Sequence, residues 1–101
     1  MLFRSGRCAQ RFKVGLDYDL PPARAQKLLG EVVTSHPDVL SDPAPLVRLA
    51  SFDDSAISYE IQVWFPAKGV SQLALRSALL SHIWYALRRE GQSIQIGRAH
   101  V

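Results

Sequence analysis

The chain has 101 residues, 48% hydrophobic and 21% charged, with 12 basic residues against 9 acidic ones. That is the length of one domain with one modest core, and the composition of a globular unit rather than a disordered or low-complexity one. No apolar run approaches the roughly 18 residues of a bilayer-spanning helix, so if the protein is a membrane protein its membrane part is missing from this sequence.

The single cysteine, Cys8, excludes an internal disulfide and has no partner set for a metal. Both ends look foreign. Leu2-Phe3-Arg4-Ser5 and Ile96-Gly97-Arg98-Ala99-His100-Val101 resemble translated sequencing-adapter DNA, one in each orientation. The expected organisation is therefore a non-native or disordered segment over 1–10, one domain over 11–95 and a non-native tail over 96–101. Setting aside Arg4 and Arg98 leaves 10 basic residues against 9 acidic ones and lowers the net charge from +3 to +1. An argument for nucleic acid from the basic pI would rest on those ends.

Arg11-Phe12-Lys13-Val14-Gly15-Leu16-Asp17-Tyr18 alternates, placing Phe12, Val14, Leu16 and Tyr18 on the buried side of a first strand. Asp19 with Pro21-Pro22 starts a helix that runs to about His36, with Ala25, Leu28, Leu29, Val32 and Val33 as its apolar stripe. His36-Pro37-Asp38-Val39-Leu40-Ser41-Asp42-Pro43-Ala44-Pro45 follows, a connector paced by prolines that hold the chain out of the helical region. Leu46-Val47-Arg48-Leu49 reads as a short strand, and Phe52-Asp53-Asp54-Ser55 as the turn before its hairpin partner. In that partner Ile57, Tyr59, Ile61, Val63 and Phe65 alternate with Ser58, Glu60, Gln62 and Trp64 until Pro66 ends it. A second helix from about Val70 to Arg89 carries Leu75, Leu79, Leu80, Ile83, Trp84 and Leu87, with Arg88 and Arg89 at the negative end of its dipole and Gly91 beyond. A last strand is expected near Ser93-Ile94. The order strand, helix, strand, strand, helix, strand is that of an α+β, ferredoxin-like two-layer sandwich, with both helices on one face of an antiparallel sheet.

That fold serves many functions, so sites decide. An RNA-binding sheet stacks bases on aromatics of its open face. Here that face is expected to carry Lys13, Gly15, Asp17, Ser58, Glu60, Gln62 and Trp64, with one aromatic and two carboxylates. A phosphate-binding first loop wants backbone N–H donors, whereas Asp19-Leu20-Pro21-Pro22 removes two donors and adds a negative charge. His36 and His82 lack an i,i+4 histidine or carboxylate partner, and His100 lies in the suspect tail. Asp53-Asp54 reads as a solvated turn rather than an acid/base pair, and Ser81-His82 as helix neighbours that point about 100° apart. Neither a catalytic site, a cofactor site nor a metal site is expected.

In register, four pieces resemble the C-terminal cytoplasmic domain of the small-conductance mechanosensitive channel family, over about Arg11 to Ile94. They are the opening Val14-Gly15-Leu16-Asp17-Tyr18-Asp19, the connector His36-Pro37 to Asp42-Pro43-Ala44-Pro45, the strand Ile57 to Phe65, and the closing helix with Leu75-Arg76-Ser77, Leu79-Leu80, Ile83 and Leu87. The family usually continues Ile-Pro, an aromatic and a further proline where this chain has Gln95-Ile96-Gly97, a departure that the adapter reading attributes to truncation. The resemblance implies a non-enzymatic fragment of a channel subunit, forming part of the wall of a cytoplasmic vestibule in a homo-heptamer. The pore would lie in missing transmembrane segments of the inner membrane, and nucleic acid would not be a partner. Pro43, Pro45, Glu60, Trp64, Arg76 and Tyr85 are the candidate subunit-interface residues. The competing expectation is a free-standing ligand-sensing or protein-interaction module of the same fold.

Overall fold

The structure is a computed structural model that describes residues 6–91. Strands β1 (Arg7–Leu16), β2 (Leu46–Phe52) and β3 (Ile57–Pro66) form an antiparallel sheet in the order β1-β3-β2, and helices α1 (Pro22–Thr34) and α2 (Gln72–Arg89) complete an α+β unit. The expected strand at Ser93-Ile94, residues 1–5 and the expected tail over 96–101 lie outside the described residues, whereas residues 7–10 of the segment expected to be non-native or disordered are part of β1.

Among the described residues β3 is central, because there it alone has two hydrogen-bonded neighbours. Its register with β1 is unbroken from Arg7 opposite Pro66 to Leu16 opposite Ile57. With β2 it pairs from Leu46 opposite Gln62 to Phe52 opposite Ile57, interrupted by an irregularity between Leu49 and Ser51. Strict alternation along β3 sends Ile57, Tyr59, Ile61, Val63 and Phe65 into the core, where Phe12, Val14 and Leu16 of β1 join them. Ala25, Leu29 and Val33 of α1 and Leu75, Leu79, Ile83 and Leu87 of α2 close the layer from above. β2, at the edge, contributes only the half-buried Val47 and Leu49.

The elements depart from the sequence reading in several places: β2 runs on to Phe52, a residue expected in the turn, and α1 stops at Thr34. β1 begins at Arg7, four residues earlier than expected, because Cys8 and Gln10 continue the inward row and find partners across from Phe65 and Val63. It also ends at Leu16. The Asp17 carboxylate accepts the Asp19 N–H at 3.0 Å, and the Leu20 N–H reaches the Asp17 carbonyl at 3.3 Å, turning the chain before Tyr18 can join the row. Tyr18 is accordingly exposed. Trp84, expected in the α2 stripe, is 41% exposed; Ala86 is buried, so the stripe is narrower than the spacing suggested. Ser71 caps α2 by accepting the Ala74 N–H at 3.2 Å, and Gly91 at φ 75° takes the left-handed turn beyond its last residues, where a side chain would be strained.

Tyr59 is fully buried and its hydroxyl has no hydrogen-bond partner among the described residues. Burial raises its pKa above the ordinary 10.0, since the phenolate is harder to desolvate than the phenol. The folded state then holds this proton more tightly than the unfolded chain. The stabilisation is fully present below the unfolded value and is lost as pH rises through the folded one. Tyr59→Phe is expected to leave stability at neutral pH unchanged or raise it by up to ~1 kcal/mol, and to flatten the alkaline loss, in urea titrations at a series of pH values. A clear destabilisation would show that the hydroxyl is satisfied. Ile61→Ala, by contrast, is expected to cost about 2–5 kcal/mol in the same assay.

Candidate interaction surfaces

Among the described residues the helices cover one face of the sheet, and the outward rows of β1, β2 and β3 form the other. On the open face the register sets Lys13 opposite Glu60 on one side of β3 and Arg48 opposite Glu60 on the other. One residue pair further along, Arg11 lies opposite Gln62, to whose Oε1 its Nε donates at 3.2 Å, and Leu46 flanks Gln62 from β2. Gly15 and Ser58 continue the face, whereas Asp17 lies beyond the strand. Lys13 and Arg48 thus flank Glu60 from the two sides, and Arg11 and Arg7 continue the outward row of β1. The face is more basic than the set of residues expected on it, because Arg11, in step with Lys13, and Arg48, between Val47 and Leu49, belong to it by the same alternation.

Trp64 sits on the same side of β3, with the Arg7 guanidinium 5.9 Å from its ring centroid. Arg7 also reaches the Asp42 carbonyl at 3.5 Å, and the Leu40 N–H donates to the Trp64 carbonyl at 2.8 Å. The connector is therefore laced to the end of β3 that β2 does not reach, and the half-buried Pro43 and Pro45 belong to that corner. The Asp42–Pro43 peptide is cis. Among the six candidate interface residues, Pro43, Pro45, Trp64 and Glu60 are carried by the connector and the open side of β3. Arg76 and Tyr85 are exposed on α2, in the opposite layer, so the six do not form one patch. Tyr85 packs edge-on against Trp84, with centroids 5.0 Å apart, and the Arg88 guanidinium lies 4.9 Å from the Trp84 ring centre.

At the end of the sheet where β1 finishes and β3 begins, the Tyr18 hydroxyl donates to the Asp53 carbonyl. This ties the turn after β1, which carries Asp17 and Asp19, to the β2–β3 turn, which carries Asp53 and Asp54; none of the four makes an ion pair among the described residues. Asp53 and Asp54 are exposed, as a solvated turn requires. In the helix layer at this end, Arg24 pairs with Glu90, whose hydrogen bond and charge raise the guanidinium pKa.

His36 and His82, unrelated by helical spacing, are brought together across the two helices with ring centroids 5.6 Å apart. The contact joins distant elements, so no local pattern could have announced it. His36 Nδ1 already accepts the Asp38 N–H at 3.0 Å, and among the described residues no three His, Cys, Asp or Glu side chains form a group that could hold a metal. No helix of the described residues is long and apolar enough to cross a membrane.

Residues 11–94 match the family described as "Mechanosensitive ion channel MscS, C-terminal". The chain belongs to that family. Its similarity to an uncharacterized MscS family protein of Archaeoglobus fulgidus is 28% identity over 61 residues, 58% of this chain and 22% of that protein. The fold superposes on Helicobacter pylori MscS in its closed state with a TM-score of 0.80 at 18% identity, covering 90% of this chain and 36% of the other. Arabidopsis thaliana MSL1 gives a TM-score of 0.74 at 21% identity, with 90% and 34% covered. This MscS-family chain therefore spans between a fifth and two fifths of the proteins it resembles. Family and fold neighbours are mechanosensitive channels, not enzymes.

The lacing of connector to strand has a direct readout. In amide hydrogen exchange, Leu40 is expected to be protected like the interior of β3 while the exposed Ser41 beside it exchanges rapidly; equal rates would show that the connector is not docked.

Proposed function

We propose that the chain is part of a mechanosensitive channel subunit and contributes its C-terminal domain to the wall of a cytoplasmic vestibule beneath an inner-membrane pore. The full-length protein releases ions and small solutes under osmotic shock, as an assembly of identical subunits, here taken to be a homo-heptamer. Family membership over residues 11–94 is the observation that carries this reading. The architecture is compatible with it: a rigid two-layer unit with charged, solvated outer surfaces can form a wall and shape the local field without any catalytic group. Tension sensing on this reading belongs to membrane helices encoded outside the chain, and the domain's part is assembly and filtering.

Two results test the proposal. Reading the source DNA outward from this coding segment is expected to reveal an upstream frame with membrane-length apolar helices followed by a small β domain. That complete gene, expressed in cells lacking such channels, is expected to give tension-activated current in membrane patches. A true start at Met1 with a stop after Val101, or a full-length protein that is silent under tension, would overturn it and leave a free-standing interaction module. The chain alone is expected to associate only weakly, because one cage wall without its neighbouring domains forms only small interfaces, short of the ~800 Å² per partner of a stable one. A tight dimer in light scattering would contradict this.

A further inference from the structure

We propose that His36 is an acid-sensitive latch: its neutral imidazole holds the proline-paced connector in place, and its protonation in mildly acidic solution releases the connector from the end of β3. The inference stands apart from the channel reading and rests on the corner where the chain leaves α1.

The half-buried His36 ring has two partners there. Its Nδ1 accepts the Asp38 N–H at 3.0 Å, and its centroid lies 5.6 Å from that of His82 on α2, with the two planes tilted by 36°. Only an unprotonated Nδ1 can accept, so the bond selects the neutral ring that carries its proton on Nε2. A second proton would go to Nδ1 and set one donor against another. It would also place a cation beside His82, a second imidazole of a type that titrates at about pH 6.5.

What the bond supports lies immediately downstream. The Val39 N–H donates to the His36 carbonyl at 3.1 Å, the Val39 side chain is buried, and the Leu40 N–H reaches the Trp64 carbonyl at 2.8 Å. The turn at His36 thus leads directly into the cover over the end of β3. Its surroundings offer a new proton little compensation. No acidic residue occurs in α2 from Gln72 to Arg89; one turn from His82 stand Ala78, Leu79, Tyr85 and Ala86, and two turns on Arg89 adds a cation. On α1, Val32 and Val33 precede His36 by one turn, while Glu31 lines the hollow beside Arg24, Lys27 and Glu90. From β1, Arg7 brings a further cation to the connector at the Asp42 carbonyl. The connector's own carboxylates, Asp38 and Asp42, are exposed. For the Asp38 carboxylate to take the new proton, Nδ1 has to turn from the Asp38 N–H, and that movement is the release.

Amide hydrogen exchange of the chain at about pH 7.5 and about pH 5, each rate compared with the intrinsic rate at that pH, tests the latch. Protection of Asp38 and Leu40 is expected to fall about 3- to 10-fold at the lower pH, as for the loss of one hydrogen bond, while Tyr59 and Ile61 within β3 keep theirs. His36→Asn replaces Nδ1 with a carboxamide oxygen that accepts the same N–H in an Asx turn and takes up no proton. It is expected to retain the protection seen at neutral pH and to lose the pH dependence. In the unaltered chain, the ring-nitrogen chemical shifts of His36 at neutral pH are expected to show Nδ1 bare and Nε2 protonated. Equal protection of Leu40 at both pH values, no protection at either, or a pH dependence that persists in His36→Asn would overturn the inference. So would a neutral His36 ring with its proton on Nδ1, or a loss shared by Tyr59 and Ile61, which would be acid unfolding of the whole domain.

Discussion

Hydrogen bonding on both edges of β3 is the constraint on which everything else depends. A ten-residue strand locked from Ile57 to Pro66 against β1 has one permitted register, because slipping by a single residue would turn Ile57, Tyr59, Ile61, Val63 and Phe65 to solvent. Fixing that register fixes both faces. The inward row receives α1 and α2, and the outward row sets Glu60 between Lys13 and Arg48. The outward charges are thus a consequence of the core pattern, read on the alternate residues.

The long strand also creates a problem of edges. β1 and β2 each pair with β3 on one side only among the described residues, and an unpaired edge invites association with another chain. Along β2 the ladder is interrupted between Leu49 and Ser51, and Arg48 stands exposed. Past the start of β2, the connector supplies the partner that β3 lacks: the Leu40 N–H takes the Trp64 carbonyl, and the prolines on either side offer no N–H with which a foreign strand could pair. The proline-paced segment, which in sequence looks like a spacer, is in structure a cover for a strand end.

What the sequence made legible follows from range. The α+β order, the inward row of β3 and the helical stripes are local periodicities, and they appear where the alternation and the three-and-four spacing put them. Tyr18 broke the alternation because a short-range capping contact, Asp17 to Asp19, outranks the continuation of a two-residue period. Trp84 failed to be buried because helical phase assigns a side but not its width; Ala86 took the core position and the indole stayed at the rim. The His36–His82 contact, the Arg7–Trp64 stack and the Tyr18–Asp53 hydrogen bond all join elements far apart in the chain. Those features depend on tertiary geometry, which spacing does not carry. For the same reason the six candidate interface residues scattered over two layers: each was chosen on its own chemistry, and only topology could say which shared a surface.

Charge segregation carries more weight here than net charge. A small excess of basic over acidic residues says little, and part of it lies in the suspect ends. The fold, however, sorts the charges: Arg7, Arg11, Lys13 and Arg48 share the open side of the sheet with Glu60, while Asp17, Asp19, Asp53 and Asp54 fall in the two turns beyond β1 and β2. Isolated surface charges are worth little individually and are screened within about 8 Å at physiological salt. Their effect becomes directional when opposite signs occupy different surfaces of the same body, since self-facing contacts are then penalised and staggered ones favoured. The segregation follows from which residues alternate along β1 and β3 and which fall in the turns between strands.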